Sequence, residues 1–167
     1  YTAVLKEWGL FVQGVNPIAR TNVAPVFQPP PDPVLYGFSY TRPCASSQLP
    51  TFAVAGAGEL PEGILAADAI VARGDTSITG LKRKARFVMD LMESRLFGLG
   101  VDWSRVNAID IYTVHSLDEL FPQGVLNRAG PAAVHGVRWH YTRPPIEEIE
   151  FEMDLRGVRT ELHLEEQ

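Results

Sequence analysis

The strongest periodicity in the chain lies between residues 75 and 100. Ile78, Leu81, Ala85, Val88, Met92, Leu96 and Leu99 recur at helical spacing and predict one long helix with a single apolar face. Asp75, Thr76 and Ser77 are each suited to cap its start, and Gly98 or Gly100 suits its exit. A period of two runs through "IEEIEFEMDL" (146–155). There Ile149, Phe151, Met153 and Leu155 alternate with Glu148, Glu150, Glu152 and Asp154, which predicts a strand apolar on one side and acidic on the other.

Other segments read as strands. "TFAVAGAGEL" (51–60) ends in a glycine turn, "RVNAIDIYTVH" (105–115) suits a buried strand, and "LYGFSYT" suits an edge strand before Pro43. "ILAADAIVA" (64–72) predicts a third strand, with a helical turn as the alternative. "AVHGVRWHYT" (133–142) would place His135, Val137, Trp139 and Tyr141 on one side and Gly136, Arg138, His140 and Thr142 on the other. Ser116 and Glu119 are spaced as a capping box for a short second helix, made irregular by Pro122.

The first third is patterned differently. "TAVLKEWGL" suits one or two helical turns closed at Gly9. Pro29, Pro30 and Pro31 exclude a helix interior or a central strand from "PPPDP". The chain therefore divides into an N-terminal arm (1–33), a patterned domain (34–158) and a polar tail (159–167). The element order predicts an α+β two-layer sandwich, with a mostly antiparallel sheet and two helices on one face.

Composition narrows the function. Of 167 residues 46% are apolar and 21% charged, enough for one domain with its own core. The net charge of −5 argues against a nucleic-acid partner. "KRKAR" (82–86), the longest basic run, reads as a solvated helix face. A single cysteine, Cys44, permits no intrachain disulfide and fits a reducing compartment. No signal peptide or membrane-spanning run is read, so a cytoplasmic protein without a membrane partner is expected.

Metal and cofactor chemistry find no local signature. His115, His135, His140 and His163 form no HxH or HxxxH pair, and "AGAGE" (55–59) lacks the helix that a dinucleotide loop requires. No metal and no cofactor is expected, and neither Cys44 nor any GxSxG elbow suggests a nucleophile. The acidic row is the remaining chemistry. It is either a solvated stripe or a cleft in which neighbouring charges and burial raise one carboxyl toward neutrality. Arg138 and His140 could face it from a neighbouring strand.

Three segments together resemble the RidA/YjgF family, once named for an endoribonuclease. "TFAVAGAGELP" resembles that family's "lfvSGQiP" strand and turn. "KARFVMDLMESRLFGLGVDWSRVNAIDIYTVHSLDEL" resembles its long helix and following strand. "TRPPIEEIEFEMD" resembles its closing "rLP…vEIEaiA". The resemblance covers residues 34–158. It implies a chorismate mutase-like fold, a homotrimer with clefts between subunits, and cofactor-independent hydrolysis of a small imine or enamine.

The resemblance also implies site residues. Glu150, or Glu152 one register step on, would position the attacking water. Backbone at Gly56–Ala57 and at Val137 would orient the substrate, with an aromatic near Phe38 or Tyr40. The family's carboxylate-binding arginine maps to His135, or to Val134 with one slip. Losing a buried bidentate anchor costs roughly 3–5 kcal/mol, so His135 or Arg138 would have to replace it. The alternatives are a non-catalytic member that binds a metabolite or partner, and, less favoured by the charge, a ribonuclease.

Overall fold

The computed structural model describes residues 2–40, 42–44, 49–64 and 66–163. A short helix α1 (Thr2–Glu7) opens the chain and is followed by Gly9 at a φ of 65°. Two residues of the arm form β1 (Ala24–Pro25). Then come β2 (Phe52–Gly58), the long helix α2 (Ile78–Gly98) and β3 (Ala108–Tyr112). The chain closes with β4 (Arg138–His140), β5 (Thr142–Arg143) and β6 (Glu152–Gly157). The main sheet runs β2-β6-β3-β4. Both neighbours of β6 pair antiparallel to it, and β4 pairs parallel to β3. β1 pairs with β5 in a separate two-stranded ribbon.

The expected α+β class holds, with helical layers on one sheet face. Leu81, Ala85, Val88, Met89, Met92 and Leu96 of α2 are buried, and Val54, Ile109, Ile111, Phe151, Met153 and Leu155 of the sheet belong to the same core. Ser77 caps α2 by accepting from the Gly80 N–H at 3.2 Å. The apolar face is shorter than expected: Ile78 and Leu99 at its two ends are exposed. Lys84 corrects the reading of "KRKAR" as a wholly solvated face, because it is fully buried. It lies three residues beyond Leu81, on the inward stripe.

Several expected strands are absent among the described residues. Residues 64–72 carry a short 3-10 turn at Ala67–Ala69; Leu65 within them lies outside the described residues. Residues 35–40 are exposed and non-regular, with Thr41 outside the described residues. Ser116 does not begin a capping box: its hydroxyl bonds Asp118 instead, accepting from the backbone N–H and donating to the carboxylate. The second helix is replaced by an irregular run, a π-turn at Phe121–Leu126, a helical turn at Asn127–Ala129 and a 3-10 segment at Gly130–His135. Pro122 lies in the first of these, where it cannot donate to a regular ladder. That run consumes residues 133–135, so the expected strand over 133–142 shrinks to β4 and β5.

The acidic strand is also shorter than its sequence pattern. Only residues 152–157 join the sheet, and Glu148 adopts a φ of 68° in the turn before it. The polar tail runs on without regular structure to residue 163; residues 164–167 lie outside the described residues. No helix among the described residues is long and apolar enough to cross a membrane.

Candidate active site

Alternation in β6 and β3 sends one set of side chains into the helix-covered core and the other onto the opposite sheet face. Glu152, Asp154 and Arg156 share that second face with Asp110 and Tyr112 of β3 and with Arg138 and His140 of β4. Glu152, Asp154, Asp110 and Tyr112 are all buried. Three acids out of water in one layer must be compensated, and the surrounding groups do this unequally.

Asp110 has the strongest support. His140 Nε2 lies 2.7 Å from its Oδ1, and Arg156 lies 2.8 Å from its Oδ2, close enough for an ion pair but off the line of a hydrogen bond. Asp154 Oδ2 accepts from the Tyr112 hydroxyl and from the Thr21 hydroxyl, each at 2.8 Å. Arg156 reaches its Oδ1 at 3.3 Å. Burial raises the Asp154 carboxyl above its ordinary value, and the two hydroxyl bonds oppose that rise. Burial, with Asp154 beside it, pushes the Tyr112 phenol far above its usual range. The Tyr112 and His140 rings stack at 4.8 Å.

Glu152 has no such support. Among the described residues no donor reaches its carboxylate. Burial pushes it up to about 7, reinforced by Asp154 and Glu59 and opposed by Arg95. Its Oε1 is pressed against Gly56, where a Cβ would collide with it and with Thr21. The glycine at 56 is thus required by close approach rather than by its backbone angles.

Glu150 lies one step outside the sheet. His115 Nε2 is 2.8 Å from its Oε2, and Arg143 donates to the same oxygen at 3.3 Å. Its backbone N–H donates to Glu59 Oε1 at 2.7 Å, and the Phe151 N–H to Glu59 Oε2 at 3.0 Å. Lys84 completes this buried knot by donating to Glu59 at 2.9 Å and to the Val71 carbonyl at 3.1 Å.

The residues expected to form a site are distributed as follows. Gly56 meets Glu152, the register-shifted alternative to Glu150. Ala57 pairs with Met153 across β2 and β6. Arg138 is on the acidic face but is separated from β6 by β3, and its fork is held by Glu161 at 2.6 and 2.8 Å. The idea that Arg138 and His140 lie directly opposite the β6 row is corrected accordingly: His140 reaches Asp110 of β3. Val137 packs against the core. His135 is exposed in the 3-10 segment, Val134 is 84% exposed beside it, and Phe38 is exposed next to Tyr40 at 6.2 Å.

Sequence reasoning missed Thr21, Glu59, Lys84, Asp110, Tyr112 and His115. Asp110 and Tyr112 could have been found, since "AIDIY" alternates on β3 as the acids do on β6. Thr21 offered no local signal.

A family model described as 2-aminomuconate deaminase CnbZ matches residues 1–162. A 2-amino-5-chloromuconate deaminase from Comamonas testosteroni is 42% identical over 160 residues, which cover 95% of this chain and 63% of that protein. The chain thus spans less than two thirds of that relative's length. A Rid-family protein of unknown function from Yersinia pestis is 18% identical over 64% of this chain and 77% of its own, with a TM-score of 0.40. A Thermotoga maritima structure with a provisional endoribonuclease name is 18% identical over 66% and 80%, with a TM-score of 0.44.

Proposed function

The chain belongs to the 2-aminomuconate deaminase CnbZ family, and from that premise we propose that it hydrolyses a small conjugated enamine dicarboxylate of the 2-aminomuconate class, releasing ammonia. The chemistry is constrained by the substrate. Protonation of the enamine carbon gives an iminium ion whose C=N carbon is electrophilic. Water adds there, its proton passes to nitrogen, and the carbinolamine expels ammonia to leave a carbonyl. Enamine and water are consumed, carbonyl compound and ammonia are formed, and no electrons change hands.

Each stage moves a proton, so the reaction needs a group that holds and releases one near neutrality. The observation that carries this reading is Glu152: buried, unsupported by donors, pushed up to about 7 and pressed against the glycine turn. Protonated Glu152 gives its proton to the substrate; as the carboxylate it takes one from the attacking water, passes it to the departing amine, and takes back the hydroxyl proton as the carbonyl forms. Glu150, already engaged by His115 and Arg143, has the supporting role of fixing the strand entry.

Anchoring of the substrate carboxylates falls to Arg138. It lies on the same sheet face as Glu152 and is half-exposed. It now grips the Glu161 carboxylate with both arms of its fork, which is the contact a substrate carboxylate would make. His135, on its exposed helical turn, is the secondary candidate. The reading includes a homotrimer whose subunit clefts form at the half-exposed Arg138 edge of this face; exposed Trp139 and Tyr141 offer apolar surface for it.

The test is ammonia release from freshly generated 2-aminomuconate. Wild type should accelerate it, Glu152→Gln should lose on the order of a hundredfold or more, and Glu150→Gln should stay within about tenfold of wild type. No rate above buffer would remove the deaminase reading. Full activity in Glu152→Gln would remove the assignment of the acid, and an equal loss in Glu150→Gln would transfer it.

A further inference from the structure

Thr21 belongs to the arm, 35 residues before Gly56, yet its hydroxyl sits inside the acidic layer. The reason is an irregularity in the sheet. The β2–β6 register shifts between Val54 and Ala57, which leaves the intervening backbone off the ladder. The Ala55 carbonyl is taken by Arg95 at 2.7 Å. The Gly56 N–H donates to Thr21 Oγ1 at 3.0 Å.

That acceptance leaves Thr21 with one hydrogen to give, and it goes to Asp154 Oδ2 at 2.8 Å. Tyr112 donates to the same oxygen. Hydroxyl bonds of this kind are stronger to a charged oxygen than to a neutral one, so both favour the ionised form of Asp154. Glu152, two residues along the same strand face, receives neither. The two acids are alike in burial and differ in hydrogen-bond donors.

We propose that Thr21 is a positioning residue for the reaction: by giving its hydroxyl hydrogen to Asp154 it keeps that carboxylate ionised and leaves the mobile proton of the pair on Glu152. The arm thereby sets which of two neighbouring acids does the work. This inference rests on the reading of Glu152 as the proton-carrying group. Other groups act on the pair and are unchanged by the arm: Glu59 at the end of β2 and Arg95 of α2 on Glu152, and Asp110 of β3 with Arg156 on Asp154.

The test is Thr21→Val in the full chain, which keeps the shape and removes the hydroxyl, with Thr21→Ser as the conservative rescue. Titration of 13C-labelled carboxyl groups by NMR needs no substrate. In Thr21→Val the Asp154 midpoint should rise and the Glu152 midpoint fall, each by about one pH unit; Thr21→Ser should match wild type. The acid limb of the kcat profile should move down with Glu152, while KM stays within about twofold. Unmoved midpoints in Thr21→Val would overturn the proposal. So would fast, unprotected exchange of the Gly56 amide in the wild type, a measurement that needs no variant. Midpoints that move in a protein releasing no ammonia would sustain the role of Thr21 and sink the deaminase reading. Unmoved midpoints with an inactive Glu152→Gln would do the reverse.

Discussion

Lys84 Nζ lies 2.9 Å from Glu59 Oε1 with both side chains at 0% exposure. Glu59 uses its two oxygens to hold the N–H groups of residues 150 and 151, just beyond the last β2–β6 rung at Gly58 and Glu152. A side chain here does what a strand partner does elsewhere in the ladder. Lys84 supplies the charge that allows a dry carboxylate to accept both bonds.

Lys84→Met should therefore destabilise the protein by about 3–5 kcal/mol, the range for removing one partner of a buried pair. Urea unfolding checks it. A loss under about 1 kcal/mol would mean that Glu59 finds another counter-charge.

Gly56→Ala should lower both stability and activity. The added Cβ would meet Glu152 Oε1 and the Thr21 hydroxyl and methyl group. Overpacking of this kind costs about 1–3 kcal/mol, and ammonia release should fall further than stability alone accounts for, because the displaced groups are the acid and its neighbour. Wild-type kcat in the Gly56→Ala variant would contradict the contact.

The elevated Glu152 carboxyl has a signed consequence for stability. Its folded value of about 7 exceeds its ordinary 4.5. Between these values the folded state binds more proton than the unfolded state, so this group's contribution is most favourable below the lower value and is lost as pH rises toward the upper. Glu152→Gln removes that dependence. Its stability relative to wild type should climb from about pH 5 to about pH 8 by up to on the order of 3 kcal/mol. Parallel stability curves would show that Glu152 titrates normally.

Arg138→Lys keeps the charge and removes the fork. KM for a dicarboxylate should rise at least about tenfold while kcat changes little, because a point charge cannot match bidentate geometry. Steady-state kinetics separates the two, and an unchanged KM would exclude Arg138 as the anchor.

The two clearest patterns in the sequence, the α2 stripe and the β6 alternation, led to the right core and to the acidic face. Periodicity reports which face a residue occupies, and Phe151, Met153 and Leu155 follow it. It does not report whether the opposite face is wet. Glu152 and Asp154 turned out to be nearly as dry as their apolar neighbours, because the arm and β3 bring hydroxyl and ring groups over them. His135 was misplaced for a related reason: the irregular helical run continues to residue 135, and nothing in the alternation of "AVHGVRWHY" marks that boundary. Lys84 was hidden by the exposed cations Lys82, Arg83 and Arg86 around it in "KRKAR", although its spacing from Leu81 pointed inward. Thr21 depends on a bulge between two strands, which is a property of their pairing and of neither sequence alone.

The position of β6 between β2 and β3 bears on how the molecule assembles. A chain that has been synthesised through β4 has its long helix and the parallel β3–β4 pair available, but β2 lacks the strand it pairs with in the main sheet and β3 has one edge open. Contacts of long sequence separation form late because loop closure precedes their reward, and β6 meets β2 about a hundred residues away. β6 is thus the strand that joins two otherwise separate parts into one sheet. Glu152 and Asp154 lie on that strand, so the same six residues close the sheet and bring two of the layer's three buried acids together.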